Sequence, residues 1–425
     1  MPIDGSVDPT TLLDLISGAV AIPSPAGSEL ALAEWFAERI ESLDPKLKCE
    51  LDRFAPGRAN LVCRDHDERP GGLVVYSHLD TSLSGDPVFD RAITASDSAL
   101  GFAQDGDTLT GPGVAVAKGP AVAAVLAFIL ARQLLDTSER ASATLLLAAG
   151  GTHRAAPRKG TTLPGAPARG AGDGARQYLR DHRPDAALVA KAGPPGVLYE
   201  EPGFAYFVVE ISGPSGLVMA RSEAVRDGGA PAAAGAAVRG VERFRSRFIE
   251  RTFPENAQAG REVGVGSLSS GAPYKADLIG GLLELYVYVV LAPGDDPANV
   301  RTEIETAVAE SIVEDGRDRF SVRAMLLDSV TAARTDPASL VVEIAEYAWQ
   351  SAHGASSPRL HGWTGSSDGV LFRASGVETV RLGPPPIPAG AGVEALSLRE
   401  LVVSAELYAE IVVRFAQQGN ERASK

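Results

Sequence analysis

His78 and Asp80 are the residues in this chain whose types and spacing could do chemistry. They close the stretch Gly72-Leu73-Val74-Val75-Tyr76-Ser77-His78-Leu79-Asp80, whose apolar and β-branched run predicts a buried strand. At positions i and i+2 of an extended segment, both side chains emerge on one side of the chain. An imidazole beside a carboxylate serves as a metal ligand with the group that orients it, or as a general base with its orienting partner. The same pair also occurs as a satisfied structural contact, and a lone H-x-D does not choose among the three. Ser77 adjoins His78, but alternation sends its hydroxyl to the opposite side, so no Ser/His/Asp triad can be assigned. Carboxyl ends of strands in open α/β sheets are where ligands bind, which suits the pair to any of these roles.

Such a strand needs a sheet around it. A helix is expected from Pro9, capped by Asp8 and carrying Leu12, Leu13, Leu15 and Ile16 until Ile22-Pro23 stops it. Gly27-Ser28-Glu29 caps a second helix with Leu32, Ala33, Phe36 and Ile40 on its apolar face. Short strands follow at 49–54 and 60–63, and then the strand to Asp80. A glycine-punctuated loop at 106–119 feeds an alanine-rich helix at 120–135; it matches neither a Walker loop nor a dinucleotide fingerprint. Strand 143–149 leads to Gly150-Gly151-Thr152-His153 and a Pro/Gly/Arg-rich tract at 154–174, read as a mobile loop or insertion. Helix 175–180 and strand 186–191 complete this part. From about Phe204 the order is strand 205–212, helix 230–247, strands 264–269 and 282–290, helix 297–313 and strand 319–327, the βαββαβ of a ferredoxin-like unit. From Pro337 the pattern returns to helix, glycine-rich loop 362–369, strand 378–382 and a final amphipathic helix 398–415. The expected division is residues 1–203 and 329–425 for an α/β domain, interrupted by an inserted domain at 204–328.

The 425 residues, 45% of them hydrophobic, suffice for two or three well-cored domains. A net charge of -14 with scattered basic residues excludes a phosphate-tracking face, so no nucleic-acid partner is expected. No apolar run reads as long enough to span a membrane, and the opening residues lack the pattern of a signal peptide. Cys49 and Cys63 flank the Pro56-Gly57 turn and could face each other across a hairpin. They make no disulfide framework, and free buried thiols in a reducing cytoplasm are the expectation.

Taken together, these motifs resemble the dinuclear zinc amidohydrolases that include acetylornithine deacetylase, succinyl-diaminopimelate desuccinylase, aminoacylases and glutamate carboxypeptidases. The resemblance rests on Ile22-Pro23-Ser24-Pro25 with Gly27-Ser28-Glu29, and on Ser77-His78-Leu79-Asp80-Thr81 with Gly85-Asp86. It continues through Leu109-Thr110-Gly111-Pro112-Gly113 to Lys118-Gly119, the βαββαβ insert, Gly365-Ser366-Ser367-Asp368 and Gly383-Pro384. It implies a zinc-exopeptidase-like α/β catalytic domain, a mixed sheet flanked by helices, with an inserted ferredoxin-like lid that dimerises.

The family's chemistry uses two zinc ions held by two histidines and three carboxylates, plus a glutamate base. Only the first ligand is matched here, at His78. The bridging aspartate position falls on Val116, the paired glutamates on Gly150 and Gly151 or nearby, the next carboxylate on Lys191, and the last histidine near Gly390. The lid histidine, arginine and asparagine positions read Leu217, Val290 and Asp277. Carboxylates have gone and a lysine has arrived, so the resemblance implies a di-zinc site that is absent and needs no cofactor, with Lys191 placing an ammonium beside Asp80 where a metal stood.

Against that background His78 and Asp80 form an acid/base dyad or a well-packed remnant. His153 stands where the family keeps its base, and is otherwise a loop-surface histidine. His361 with Ser366, Ser367 and Asp368 could line a substrate pocket, Asp368 alternatively capping the helix that follows. Lys118 and Lys191 could hold a substrate carboxylate, Lys118 alternatively being a structural loop residue and Lys191 a base of depressed pKa. Glu200 and Glu201 read as solvated hinge charges. Three functions fit: a metal-independent enzyme acting on a small amino-acid-like or N-acylated metabolite; a non-catalytic dimer that binds a ligand or partner; and a rebuilt single-metal hydrolase using His78 with His153, His361 or Asp368.

Overall fold

The computed structural model describes residues 5–64, 72–83, 90–91, 101–135, 143–153, 172–222, 224, 226, 228–252, 254–389 and 393–423. The chain forms two compact units: Met1–Tyr199, Arg334–Leu360 and Ser367–Lys425 make the first, Glu200–Ala333 with His361–Ser366 the second. The second unit therefore takes in a short return segment, 361–366, that composition does not reveal.

In the first unit, α1 (Pro9–Val20) is capped by Asp8, whose carboxylate accepts from the Thr10 and Thr11 N–H groups, and it buries Leu12, Leu15 and Ile16. Next, α2 (Leu30–Leu43) starts without a side-chain cap, because the Glu29 carboxylate is turned inward to Arg58. Strands β1 (Lys48–Ala55) and β2 (Arg58–Arg64) form a hairpin whose turn uses Gly57 at φ 73°. That register sets Cys49 directly opposite Cys63, with Cα atoms 4.3 Å apart, and the two form a disulfide. The expectation of free thiols is overturned by hairpin register, and with it the cysteine argument for a reducing compartment.

The buried strand β3 (Leu73–His78), the helix α3 (Gly119–Leu134), β4 (Ala143–Ala148), α4 (Asp173–Asp181) and β5 (Ala186–Ala190) follow. The segment Val114–Leu134 is, by length and composition, apolar enough to cross a membrane, contrary to the sequence expectation; 94% of its most apolar window is buried inside the protein, as a core helix requires.

The second unit contains β6 (Gly203–Ser212), α5 (Ala234–Ile249), β7 (Glu262–Ser270), β8 (Leu282–Leu291), α6 (Pro297–Glu314) and β9 (Ser321–Val330). Its antiparallel sheet runs β7-β8-β6-β9, the ferredoxin-like order. Alternate residues Phe207, Val209 and Ile211 of β6 and Leu285, Val287 and Val289 of β8 share a core with Phe244, Phe248, Ile304 and Val308 of the helices.

The chain then returns to the first unit as α7 (Leu340–His353), α8 (Gly369–Ala374), β10 (Glu378–Leu382) and α9 (Leu398–Ala423). The central sheet has the order β1-β2-β4-β3-β5-β10; β4, β3, β5 and β10 are parallel, whereas β1 and β2 join antiparallel. Leu73 and Val75 of β3 pack into the core with α3 and α9. Tyr76, on the opposite face, meets Phe372 of α8 edge-on at 5.3 Å. Helices thus flank a mixed sheet, and His78 leaves β3 on the Tyr76 side.

Candidate active site

At the carboxyl end of β3, His78 Nδ1 lies 3.1 Å from Asp80 Oδ1, and both side chains are buried, at 1% and 0% exposure. The same carboxylate accepts the Gly151 N–H at 2.7 Å and the Thr152 N–H at 2.9 Å, both from the turn after β4. Burial alone would raise the Asp80 pKa. The hydrogen bond and charge of His78, with the Thr152 donors, outweigh it and hold the carboxyl well below its usual range. An ionised carboxylate only accepts, so Nδ1 donates, and in the neutral imidazole it is Nε2 that carries the lone pair. That Nε2 is buried without a hydrogen-bond partner among the described residues. Ser77 points away as alternation requires, donating to the Ala190 carbonyl at 3.0 Å.

A second pair forms beside the first. His153 Nε2 lies 3.4 Å from Asp368 Oδ1, and its side chain is 8% exposed, so it is not a surface histidine. Asp368 also accepts from the Tyr76 hydroxyl. The alternative reading of Asp368 as a helix cap fails: its side chain makes no cap bond to α8, and Ser367 Oγ accepts the Gly369 N–H instead. Tyr76 was hidden in the sequence within an apolar run; its place two residues before His78, on the same strand face, is the signal that finds it.

The residues present do not fit a pair of zinc ions. A Cβ at Gly151 would lie 2.4 Å from His78 Cβ and 3.0 Å from Asp368 Oδ2, leaving no room for a glutamate. At Gly150, with φ at 71°, it would lie 2.0 Å from Arg58 Nη2. Arg58 is buried there between Asp173 at 2.8 Å and Glu29 at 3.4 Å. Val116 offers no ligand side chain; its N–H and that of Ala115 donate to Glu394 Oε2 at 2.8 and 2.9 Å. Gly390 lies outside the described residues. Among the described residues, no three His, Cys, Asp or Glu side chains are grouped to hold a metal ion.

The other candidates separate. Lys118 is buried and donates to the Ile22 carbonyl at 2.6 Å. Desolvation pulls its pKa down to about 8 against the opposing charge of Glu394, so its ammonium is committed to the loop and not to a substrate. Lys191 is half-buried just past β5 and is not among the partners of Asp80. His361 is exposed and belongs to the second unit, as does Ser366, whose hydroxyl donates to the Pro202 carbonyl at 2.9 Å. Glu200 and Glu201 are buried, not solvated; Glu200 accepts the Ala259 N–H at 3.0 Å. Of the lid positions, Leu217 is exposed, Val290 is buried, and Asp277 pairs with Lys275 at 2.6 Å.

No family model matches the sequence. The fold is similar to that of human carnosine dipeptidase 1, with a TM-score of 0.68 at 12% identity over 96% of this chain and 97% of that one. The M20 family metallo-carboxypeptidase Sso-CP2 of Sulfolobus solfataricus gives 0.66 at 16% identity, over 97% and 100% of the two chains. Bacillus subtilis YXEP, a dinuclear metal binding peptidase of the M20 family, gives 0.60 at 12% identity, over 96% and 98%. At the level of fold, then, the chain has the M20 peptidase architecture, a helix-flanked mixed sheet with an inserted ferredoxin-like domain.

Proposed function

We propose that the first unit carries a metal-independent acid/base centre acting on a small amino-acid-like or N-acylated metabolite, with His78 as general base and Asp80 as the group that fixes its tautomer. The observation that carries this reading is His78 Nε2, held in place by the Nδ1 contact to Asp80 and buried without a partner among the described residues. An orphaned buried acceptor costs about 1–3 kcal/mol, and a base waiting for a substrate proton accounts for it. His153, whose Nε2 lies 3.4 Å from Asp368 Oδ1, is the candidate second proton carrier. Lys191, half-buried just past β5, is the candidate cation for a substrate carboxylate. Dimerisation through the second unit, as in the family the sequence resembles, is part of this reading.

The test uses full-length protein purified without chelators, assayed for metal content and for cleavage of N-acyl amino acids and dipeptides. The expected result is turnover unaffected by 1,10-phenanthroline and reduced roughly 10²-fold to 10⁴-fold in His78→Gln. Stoichiometric metal with chelator-sensitive turnover overturns it.

A non-catalytic binding protein is the second reading, and one observation favours it. The Gly151 backbone is seated against the His78 ring, and the whole His78–Asp80 pair is excluded from solvent. Absence of turnover across the panel, with His78→Gln folding normally, selects this reading over the first.

A further inference from the structure

We infer that the first unit carries a separate small-molecule site that takes a monocationic amine with an apolar body. A cavity of about 320 Å³ opens where α7, α9 and the turn after β10 come together, and none of its lining residues belongs to the His78 cluster. Its walls are apolar and aromatic: Trp349 from α7, Leu382 at the end of β10, and Val403, Leu407 and Tyr408 from α9. This volume sits at the lower end of the range for small-ligand pockets, roughly 300–1,000 Å³, and suits one ring or a branched aliphatic group.

The polar groups of the cavity narrow the ligand class. Both hydroxyls are already used: Tyr408 donates to the Leu382 carbonyl at 2.9 Å and Ser404 to the Glu400 carbonyl at 2.7 Å. The His353 ring stacks on Trp349 at 3.9 Å, and its Nδ1 lies 3.1 Å from the Trp349 carbonyl. What remain are the Nε2 of the exposed His353 and the carboxylate of Glu400, half-buried and without a side-chain partner among the described residues. His353 also marks the C-terminal turn of α7, where the helix dipole adds partial negative charge to the mouth. Glu400 stands in the first turn of α9, whose positive end offsets part of its charge; a neutral apolar occupant still costs that carboxylate its remaining water, whereas an ammonium pairs with it while its carbon body fills the walls.

The test is calorimetric titration of the full-length protein with 2-phenylethylamine and with its neutral isostere 2-phenylethanol. The amine is expected to bind saturably, one to one, with Kd below about 1 mM. The alcohol is expected to bind roughly fivefold more weakly. Glu400→Gln should lower the amine to the affinity of the alcohol and leave the alcohol unchanged. Val403→Trp, which fills the cavity, should abolish both; if that variant fails to fold, Glu400→Gln still decides. Absence of saturable amine binding, equal affinity for amine and alcohol, or unaltered amine binding in Glu400→Gln overturns the inference. His78→Gln should bind the amine as wild type does, so this result stands apart from the catalytic assay.

Discussion

The two histidine–aspartate pairs of the first unit are built in opposite ways. His78 and Asp80 sit two residues apart at the end of one strand, and the carboxylate is completed by two backbone N–H groups. His153 and Asp368 come from distant parts of the chain and meet only because the sheet brings the turn after β4 to the start of α8, with Tyr76 as third member. The local pair yields an imidazole of fixed tautomer with one nitrogen open. The long-range pair sets the buried His153 ring of that same turn 3.4 Å from Asp368. A strand end can thus orient an imidazole by itself, whereas bringing the second pair together requires the tertiary fold.

The largest expected effect tests the local pair. Asp80→Ala leaves the His78 Nδ1–H and two backbone N–H groups buried without acceptors, so a loss of about 3–5 kcal/mol in urea unfolding is expected. The pH dependence has a definite sign. The folded carboxyl is held below its ordinary value of 3.8, so the folded state binds fewer protons than the unfolded chain. The stabilisation is complete above that pH and is lost as acid carries the protein below it; Asp80→Ala should flatten this acid limb. A change under about 1 kcal/mol would reduce the pair to a passive contact.

Which parts were legible in the sequence follows the same division between local and long-range causes. The Asp8 cap, the β3 run and the βαββαβ order are written in neighbouring residues, through periodicity and turn chemistry, and the structure has them at nearly the expected bounds. His78 with Asp80 was readable for the same reason. The Cys49–Cys63 bond needed a hairpin register that Pro56-Gly57 suggests but does not fix. The inward turn of Glu29, the burial of Glu200 and the use of Asp368 by Tyr76 and His153 depend on partners far along the chain. Propensity assigned Glu29 to a cap and Glu200 to solvent, and offered a cap as the alternative for Asp368, because caps and solvent are the only partners a local window contains.

The boundary between the pairs is Gly151, and it supplies the next test. Gly151→Ala pushes a methyl against His78 Cβ, which is anchored in a strand, so the turn must give way. A loss of about 1–3 kcal/mol is expected in thermal or urea unfolding. Gly264→Ala in β7, where a Cβ meets nothing within 4 Å, is the control and should stay within about 0.5 kcal/mol. Equal effects at the two glycines would mean that the turn does not press on His78, and the argument against a glutamate at this position would fall with it.

Tyr76→Phe carries the smallest expected effect and tests the division most directly. The ring, with its edge-on contact to Phe372, is kept, and only the donor to Asp368 is removed. A loss of about 1 kcal/mol is expected. Because Tyr76 shares Asp368 with His153, the loss should shrink when Asp368 is already Asn, a coupling of about 0.5–3 kcal/mol in a double-mutant cycle. The corresponding cycle with Asp80→Asn should be near additive, since Asp80 is held by His78 and by the turn's amides and not by the hydroxyl. Strong coupling of Tyr76 to Asp80 would show that the two pairs are one network. His78 would then owe its orientation to the distant residues as much as to its own strand.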